Sequence, residues 1–339
     1  MIFAQRNILF PLPSSKGFPH SQFTPLRFLE MAATRCSAPA PTRTRLLRTW
    51  LGIALLALCP CAHGADKPFS TELRIRVWTA QGKEIAHSRK PSGTHASVAV
   101  MLPYPYQPGD QIQIQAPPFF ALQLDPDVPE CLIVNHHRGP WSFLIPSGEA
   151  EKANRAHWPA LWEHSSHLIR LRSVDAGELR AYRNVALNPC DQPEAAHEAA
   201  YPHAEASTSY YGMAVFAARN AIDGVIESAH HGAWPYQSWG PEMEASSWWR
   251  VDFGREVNVD KMVIYLRADF PHDGYWKSAR IEFSDGSGEN IELKKTAAAQ
   301  EFHFQRRRTA YVRLARLVPA PEGGWCALTE VQVWGNDPL

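Results

Sequence analysis

Trp248-Trp249-Arg250-Val251-Asp252-Phe253-Gly254 decides the fold class. In an extended chain Trp249, Val251 and Phe253 project to one face, and Trp248, Arg250 and Asp252 to the other. This period of two, with rings and a β-branched residue on one side, marks a half-buried strand. The pattern recurs on either side. Stretches 261–266, 280–283, 291–293, 311–317 and 328–334 read as strands, the last with Val331 and Val333 alternating with Glu330 and Gln332. A short helix-permissive run, 214–221, ends at Ile222-Asp223-Gly224. Regular strands separated by turns predict an antiparallel sandwich over residues 204–339.

Further upstream, residues 68–188 show the same habit. Leu73, Ile75 and Val77 alternate with Arg74, Arg76 and Trp78, and Val98 and Val100 continue the pattern. A turn at 104–110 precedes the strict alternation Gln111-Ile112-Gln113-Ile114-Gln115. Stretches 168–172 and 178–182 read as further strands, so a first β-sandwich of no recognisable family is expected here. Its middle gathers Trp141, His157, Trp158, Trp162, His164 and His167 at spacings that match no ligand motif, which leaves packing and a metal site both open. A polar stretch at 189–203, with Pro189 and Pro202 near its ends, is expected as a linker. The chain is therefore read as all-β, with two β-sandwich domains. Its 28 Pro, 20 Gly and 12 Trp agree with many turns and aromatic-rich strands, and no short repeat suggests a solenoid.

The formal net charge of zero averages two unlike parts. Residues 1–65 carry 7 Lys/Arg against 1 Asp/Glu, and the rest of the 339-residue chain 27 against 33. A mildly acidic body without a basic patch argues against nucleic acid as a partner. The first 65 residues read as a leader. Arg43, Arg45 and Arg48 precede the apolar run 50–58, too short for the about 20 residues that span a bilayer. Small residues at Ala62-His63-Gly64-Ala65 suit cleavage of a secretory signal peptide, with Met31 as the expected true start. A lipidated Cys59 or Cys61 is the alternative. The mature chain is thus expected to be secreted or periplasmic, without a transmembrane segment. It retains Cys131, Cys190 and Cys326, an odd number that permits at most one bridge, with Cys131–Cys190 conceivable in an oxidising compartment.

The order Ala221-Ile222-Asp223-Gly224, Ser238-Trp239, 248–254, Tyr311-Val312-Arg313-Leu314 and 328–335 resembles the discoidin, or coagulation-factor type C, domain. That group includes galactose-binding-like carbohydrate-binding modules. The resemblance implies a jelly-roll sandwich for the C-terminal half and leaves the ligand open, because such domains bind sugars, lipid head groups or proteins. It also implies a structural calcium held by Asp223 and Glu330. Gly224 permits the positive φ by which the loop presents its carbonyl oxygens to a hard cation. The bland alternative is that Asp223 caps a turn and Glu330 is a solvated strand residue. No organic cofactor is expected.

Two loops crowd rings with polar forks: 230–239, with His231, Trp234 and Tyr236, and 267–276, with Arg267, Asp269, His272, Asp273, Tyr275 and Trp276. Trp325 is a candidate for the same rim. A ring covers the C–H face of a pyranose while Arg, Asp and His bond its hydroxyls. Burial of roughly 100 Å² of apolar surface contributes about 2–3 kcal/mol. A saccharide or glycan is thus the expected partner, with Trp234 and Trp276 as the stacking platform. The same rings suit a protein- or surface-adhesion module. His231, Asp269, His272 and Asp273 also admit acid/base work, the third alternative being a glycan-active hydrolase. No Gly-x-Ser-x-Gly, His-Glu-x-x-His or phosphate loop is present, so the expectation is binding without catalysis.

Overall fold

In chain order the first region lays down β1 (Arg74–Trp78), β2 (Glu84–His87), β3 (Ser97–Leu102), β4 (Gln111–Gln115), β5 (Phe119–Gln123), β6 (Cys131–Asn135), β7 (Trp141–Leu144) and β8 (His167–Ser173). There follow β9 (Arg183–Asn184), β10 (Ala200–Tyr201), β11 (His203–Ala206), β12 (Trp249–Leu266), β13 (Trp276–Phe283), β14 (Gly288–Glu292), β15 (Gln300–Pro319) and β16 (Leu328–Asn336). The computed structural model describes residues 70–89, 97–136, 139–146, 158, 160–193, 200–242 and 244–338. The expected leader, its cleavage site and His157 lie outside the described residues. No helix among the described residues is long and apolar enough to cross a membrane.

Two antiparallel sheets make the first sandwich, ordered β2-β1-β4-β7 and β10-β6-β5-β8-β3. The alternation in β4 is realised: Ile112 and Ile114 are fully buried and meet Ile75 and Val77 of β1, with Phe120, Leu122, Ile133 and Ile169 from the other sheet. One expected strand is a helix. Of the expected strand 178–182, residues 178–180 lie in the helix Ala176–Arg180, because Asp175 and Glu178 form a reciprocal capping box. The Asp175 carboxylate accepts from Glu178 N at 2.9 Å, and that of Glu178 from Asp175 N at 3.2 Å.

The second sandwich is one antiparallel sheet, ordered β14-β13-β15-β12-β16-β9, with β11 also on β12. Its two longest strands exceed the sequence reading: β12 runs through two expected strands, 248–253 and 261–266, and β15 begins eleven residues before the expected 311–317. Within β12, Trp249, Val251, Phe253, Val257 and Val259 are buried, and then Met262, Ile264 and Leu266. The inward parity switches from odd to even where the pairing register slips between Val259 and Lys261. One extra residue at a bulge turns every later side chain to the other face, so the strand continues into the core instead of stopping. The helix-permissive run becomes short 3₁₀ turns, including Ala214–Phe216 and Ala218–Ala221.

The described residues belong to one compact unit. The described parts of the expected linker are knitted into the fold: Cys190, Asp191 and Gln192 at its start are buried, β10 at its end pairs with β6, and β9 just before it pairs with β16. The Asp191 carboxylate meets His203 Nδ1 and accepts from Ala204 N, each at 2.8 Å. Cys131 and Cys190 are free thiols with Sγ atoms 3.6 Å apart.

Candidate functional site at the loop end of the second sandwich

Three loops meet at one end of the second sandwich. The first leaves β12 at Leu266. Arg267 N donates to Ala327 O at 3.1 Å, which pins the loop beside the start of β16. Asp273 then closes its own turn: its N donates to Phe270 O at 3.0 Å, and its carboxylate accepts from Phe270 N at 3.1 Å. The second loop, 321–326, docks on the first through two glycines. A Cβ at Gly274 would lie 2.5 Å from Gly324 O, and one at Gly324, whose φ is +94°, would lie 2.6 Å from Gly274 N. Only a pair of glycines allows this backbone approach. Gly274 N then donates to Trp325 O at 3.0 Å, so Trp325 stands beside Asp273. From the third loop His231 reaches over, its Nε2 3.2 Å from Asp273 Oδ1.

Rings wall this cluster. Tyr210 meets Trp325 edge-on with centroids 3.8 Å apart, and Phe216 lies parallel to Trp325 at 6.5 Å. The Arg267 guanidinium carbon is 6.0 Å from the Phe216 centroid. Phe270 and His272 contact the His231 ring at 4.9 and 5.3 Å.

The electrostatics are unfinished. Arg267 is 5% exposed and Asp273 2%. Arg267 Nε, Asp273 Oδ1, His231 Nε2 and Trp325 Nε1 are buried without a hydrogen-bond partner in the protein. His231 Nε2 and Asp273 Oδ1 face each other at 3.2 Å, and His272 Nε2 lies 3.6 Å from the same oxygen, so the carboxylate is offset by imidazoles while Arg267 Nε and Trp325 Nε1 face no protein acceptor. Burying charged and polar groups unsatisfied costs several kcal/mol, so four such atoms in one cluster are poised for an outside partner. Burial lowers the His231 pKa, and the Arg267 cation lowers it further, so the ring is a neutral imidazole at neutral pH. The site therefore offers a cation, a carboxylate, a neutral imidazole and an indole N–H beside aromatic faces.

Other expected members sit elsewhere. Trp276, expected as an exposed stacking ring, is 2% exposed and stacks on Trp239 with centroids 5.7 Å apart, because it opens β13 facing inward. Trp234, the other platform ring, packs on Trp158 of the first sandwich at 4.6 Å and joins that core. Tyr275 is half-buried against the second core. Asp269 is exposed and accepts from Ser228 Oγ at 2.5 Å. Tyr236 is half-buried near His230, at 5.7 Å. Sequence reasoning missed Tyr210, Phe216 and Phe270. The available signal was the ring pair Tyr210-Tyr211 before Gly212, whose second member is 76% exposed.

Asp223 and Glu330 are both fully buried, so Glu330 is not a solvated strand residue. Asp223 accepts from Val225 N and from Gln237 Nε2, each at 2.8 Å. One Glu330 oxygen accepts from Gly224 N at 3.2 Å, and the other, Oε1, has no hydrogen-bond partner. Burial pushes Asp223 up to about 7. It pushes Glu330 well above the carboxylate range, with Asp223 raising it further. Two buried carboxylates beside a positive-φ glycine turn, one oxygen unpartnered, form a donor set that suits a hard cation. The buried Arg219 already offsets part of their charge.

Residues 203–331 match the model of the F5/8 type C domain. This is the discoidin-like fold that the sequence pattern resembles. No curated protein matches the chain. Among solved structures, chitosan-binding module 1 of a chitosanase/glucanase from Paenibacillus sp. IK-5 is 25% identical, with 45% of this chain and 98% of that one covered and a TM-score of 0.31. A fucose-binding module from Streptococcus pneumoniae, SpX-3, is 18% identical over 44% and 96% of the two chains, with a TM-score of 0.31. The family 32 carbohydrate-binding module of NanJ from C. perfringens, solved with galactose, is 17% identical over 39% and 91%, also with a TM-score of 0.31.

Proposed function

We propose that the F5/8 type C domain of this chain is a saccharide-binding module without catalytic activity, its site formed by His231, Arg267, His272, Asp273 and Trp325. One observation carries the reading. Buried Arg267 and Asp273, with His231 and Trp325, gather four buried polar atoms that make no hydrogen bond of good geometry within the protein into a cluster walled by rings. A pyranose supplies what that cluster lacks: adjacent hydroxyls that both donate and accept, and a C–H face for the half-buried indole. Each hydrogen bond completed to a charged group contributes about 1.5–3 kcal/mol net, against association costs of similar size in total. Millimolar to micromolar affinity follows.

The test is a glycan array on the purified chain, followed by calorimetric titration of the best hit. His231→Ala and Trp325→Ala should each weaken that binding at least about tenfold, the scale of one lost polar or aromatic contact. An array without specific binding, or variants that bind as the parent does, would overturn the reading. Capture of a protein without glycan would support an adhesion module instead, and release of hydrolysis products a glycan-active enzyme.

The same proposal places a calcium ion at Asp223 and Glu330, where it would neutralise the carboxylates and brace the turn at Gly224 against β16. Export by the leader belongs to it as well. The mature chain should begin near residue 65 or 66 in a secreted or periplasmic fraction. A full-length chain from Met1 in the cytoplasm would contradict that.

A further inference from the structure

The Trp- and His-rich stretch of the first region takes no part in saccharide binding, yet two of its histidines face one carboxylate. Asp125 lies in the turn between β5 and β6 and is 1% exposed. Its backbone and carboxylate are held by that turn, with Val128 N donating to Asp125 O at 3.0 Å and Asp127 N to Asp125 Oδ1 at 3.2 Å. His167 opens β8 opposite Leu102 of β3, and its buried ring stacks on Tyr106 at 4.0 Å. Its Nδ1 is 3.0 Å from Asp125 Oδ2. His164 puts Nδ1 3.5 Å from Asp125 Oδ1, and Nε2 3.5 Å from Asp127 Oδ2.

We propose that Asp125, His164 and His167 bind a divalent transition-metal ion, with Asp127 at the rim. The three ligand atoms lie within 4.8 Å of one another. Metal–ligand bonds of about 2.0–2.1 Å in a tetrahedron put neighbouring ligand atoms roughly 3.3–3.4 Å apart. His167 Nδ1 faces one Asp125 oxygen at 3.0 Å and His164 Nδ1 the other at 3.5 Å, so the carboxylate and both imidazoles need only small shifts to reach that spacing. A buried Asp–His pair accounts for His167 alone. It does not account for His164, whose side chain is 42% exposed and free to turn to water, yet faces the same carboxylate. Two imidazoles with one carboxylate favour zinc-like ions over calcium or magnesium, which take oxygen ligands. Asp127 is 67% exposed, so the cluster opens to solvent on one side. That opening is an entry path and leaves a coordination position for water. The ion would tie the β5–β6 turn to the start of β8.

The experiment uses the whole chain without a histidine tag, stripped with chelator and titrated with Zn²⁺ against a chromophoric competitor. The parent should take one more equivalent of zinc than His164→Ala, and Asp125→Asn should lose the same equivalent. His272→Ala is the control, because His231, His272 and Asp273 also approach one another in the saccharide site. It should keep the equivalent that His164→Ala loses. Zinc should raise the melting temperature of the parent by a few degrees, and that of His164→Ala by less. His164 is partly exposed, so its loss should leave the fold intact. Calcium should not displace the zinc. A parent that takes up no zinc overturns the proposal, as do His164→Ala and Asp125→Asn chains that bind as many ions as tightly as the parent.

Discussion

Trp276→Ala separates core from site. The Trp276 ring lies parallel to Trp239 within 22° and 5.7 Å, and both are sealed from solvent. Removing a ring from such a stack loses its transfer energy and leaves a cavity, about 3–5 kcal/mol for Trp→Ala. For a body of this size each kcal/mol lowers the melting temperature by about 2–4 °C, so a fall on the order of 10 °C is expected. Differential scanning calorimetry measures it. Calorimetric titration of the array-identified saccharide, well below the variant's melting point, measures affinity, which should change little. Trp325→Ala should do the reverse. Its half-buried ring lies on the loops, so the melting temperature should move by a few degrees at most. Affinity should fall by about 1.4–3 kcal/mol, roughly ten- to 150-fold. A Trp276→Ala chain that melts with the parent but no longer binds saccharide would refute the assignment and return that ring to the site.

Calcium and pH should act on stability in opposite senses. Without metal, the Asp223 carboxyl titrates at about 7 in the fold against 3.8 unfolded, so the fold keeps a proton that the unfolded chain has lost. The contribution of Asp223 to metal-free stability should therefore be fully present below pH 4 and be lost as pH rises through 7, by up to about 4 kcal/mol, against the opposite trend of Asp337, whose pKa its two arginines lower. Calcium needs the ionised carboxylates, so the rise in melting temperature it causes should be larger at pH 8 than at pH 5 in calorimetric scans with and without chelator, and equal rises would count against the site. Gly274→Ala puts a Cβ 2.5 Å from Gly324 O and must part the two loops. Titration should show saccharide affinity at least about tenfold weaker, the scale set by misplacing one buried contact, and unchanged affinity would show that loop docking does not shape the site. Asp175→Ala removes a helix cap and should cost about 1 kcal/mol in a urea melt, with saccharide affinity unaffected.

The fold was legible where one face of the chain is buried and the other is not. Gln111–Gln115 and Trp249–Phe253 carry the period of two because each strand has one dry face, and the structure buries the expected residues. The reading faltered where a local device overrides that period. At 178–182 alternation suggested a strand, but the Asp175–Glu178 capping box satisfies the backbone ends of a short helix. At 254–260 a glycine and four polar residues separate the two expected strands. The slip in pairing carries the strand through, and nothing in composition marks a bulge of that kind.

The site was legible in chemistry and illegible in burial. Arg267, His231, Asp273 and Trp325 stand out because a cation, an imidazole, a carboxylate and an indole in glycine-containing loops suit polar recognition. Their convergence depends on the Gly274–Gly324 contact, a meeting of two backbones fifty residues apart that leaves no periodic trace. Trp234 and Trp276 share the same loops and the same composition but point elsewhere. Trp276 begins β13, where the inward register continues through Ala279, Ile281 and Phe283, and the Trp276–Ser278 register slip accounts for the change of parity. Trp234 is drawn to Trp158, a residue of the other sandwich. Which ring in an aromatic loop meets solvent is thus set by partners distant in sequence, whereas the polar atoms left unpaired after folding report the site directly. Among the ten residues that the sequence proposes for ligand binding, that criterion selects Arg267, Asp273, His231 and Trp325 and passes over Trp234 and Trp276.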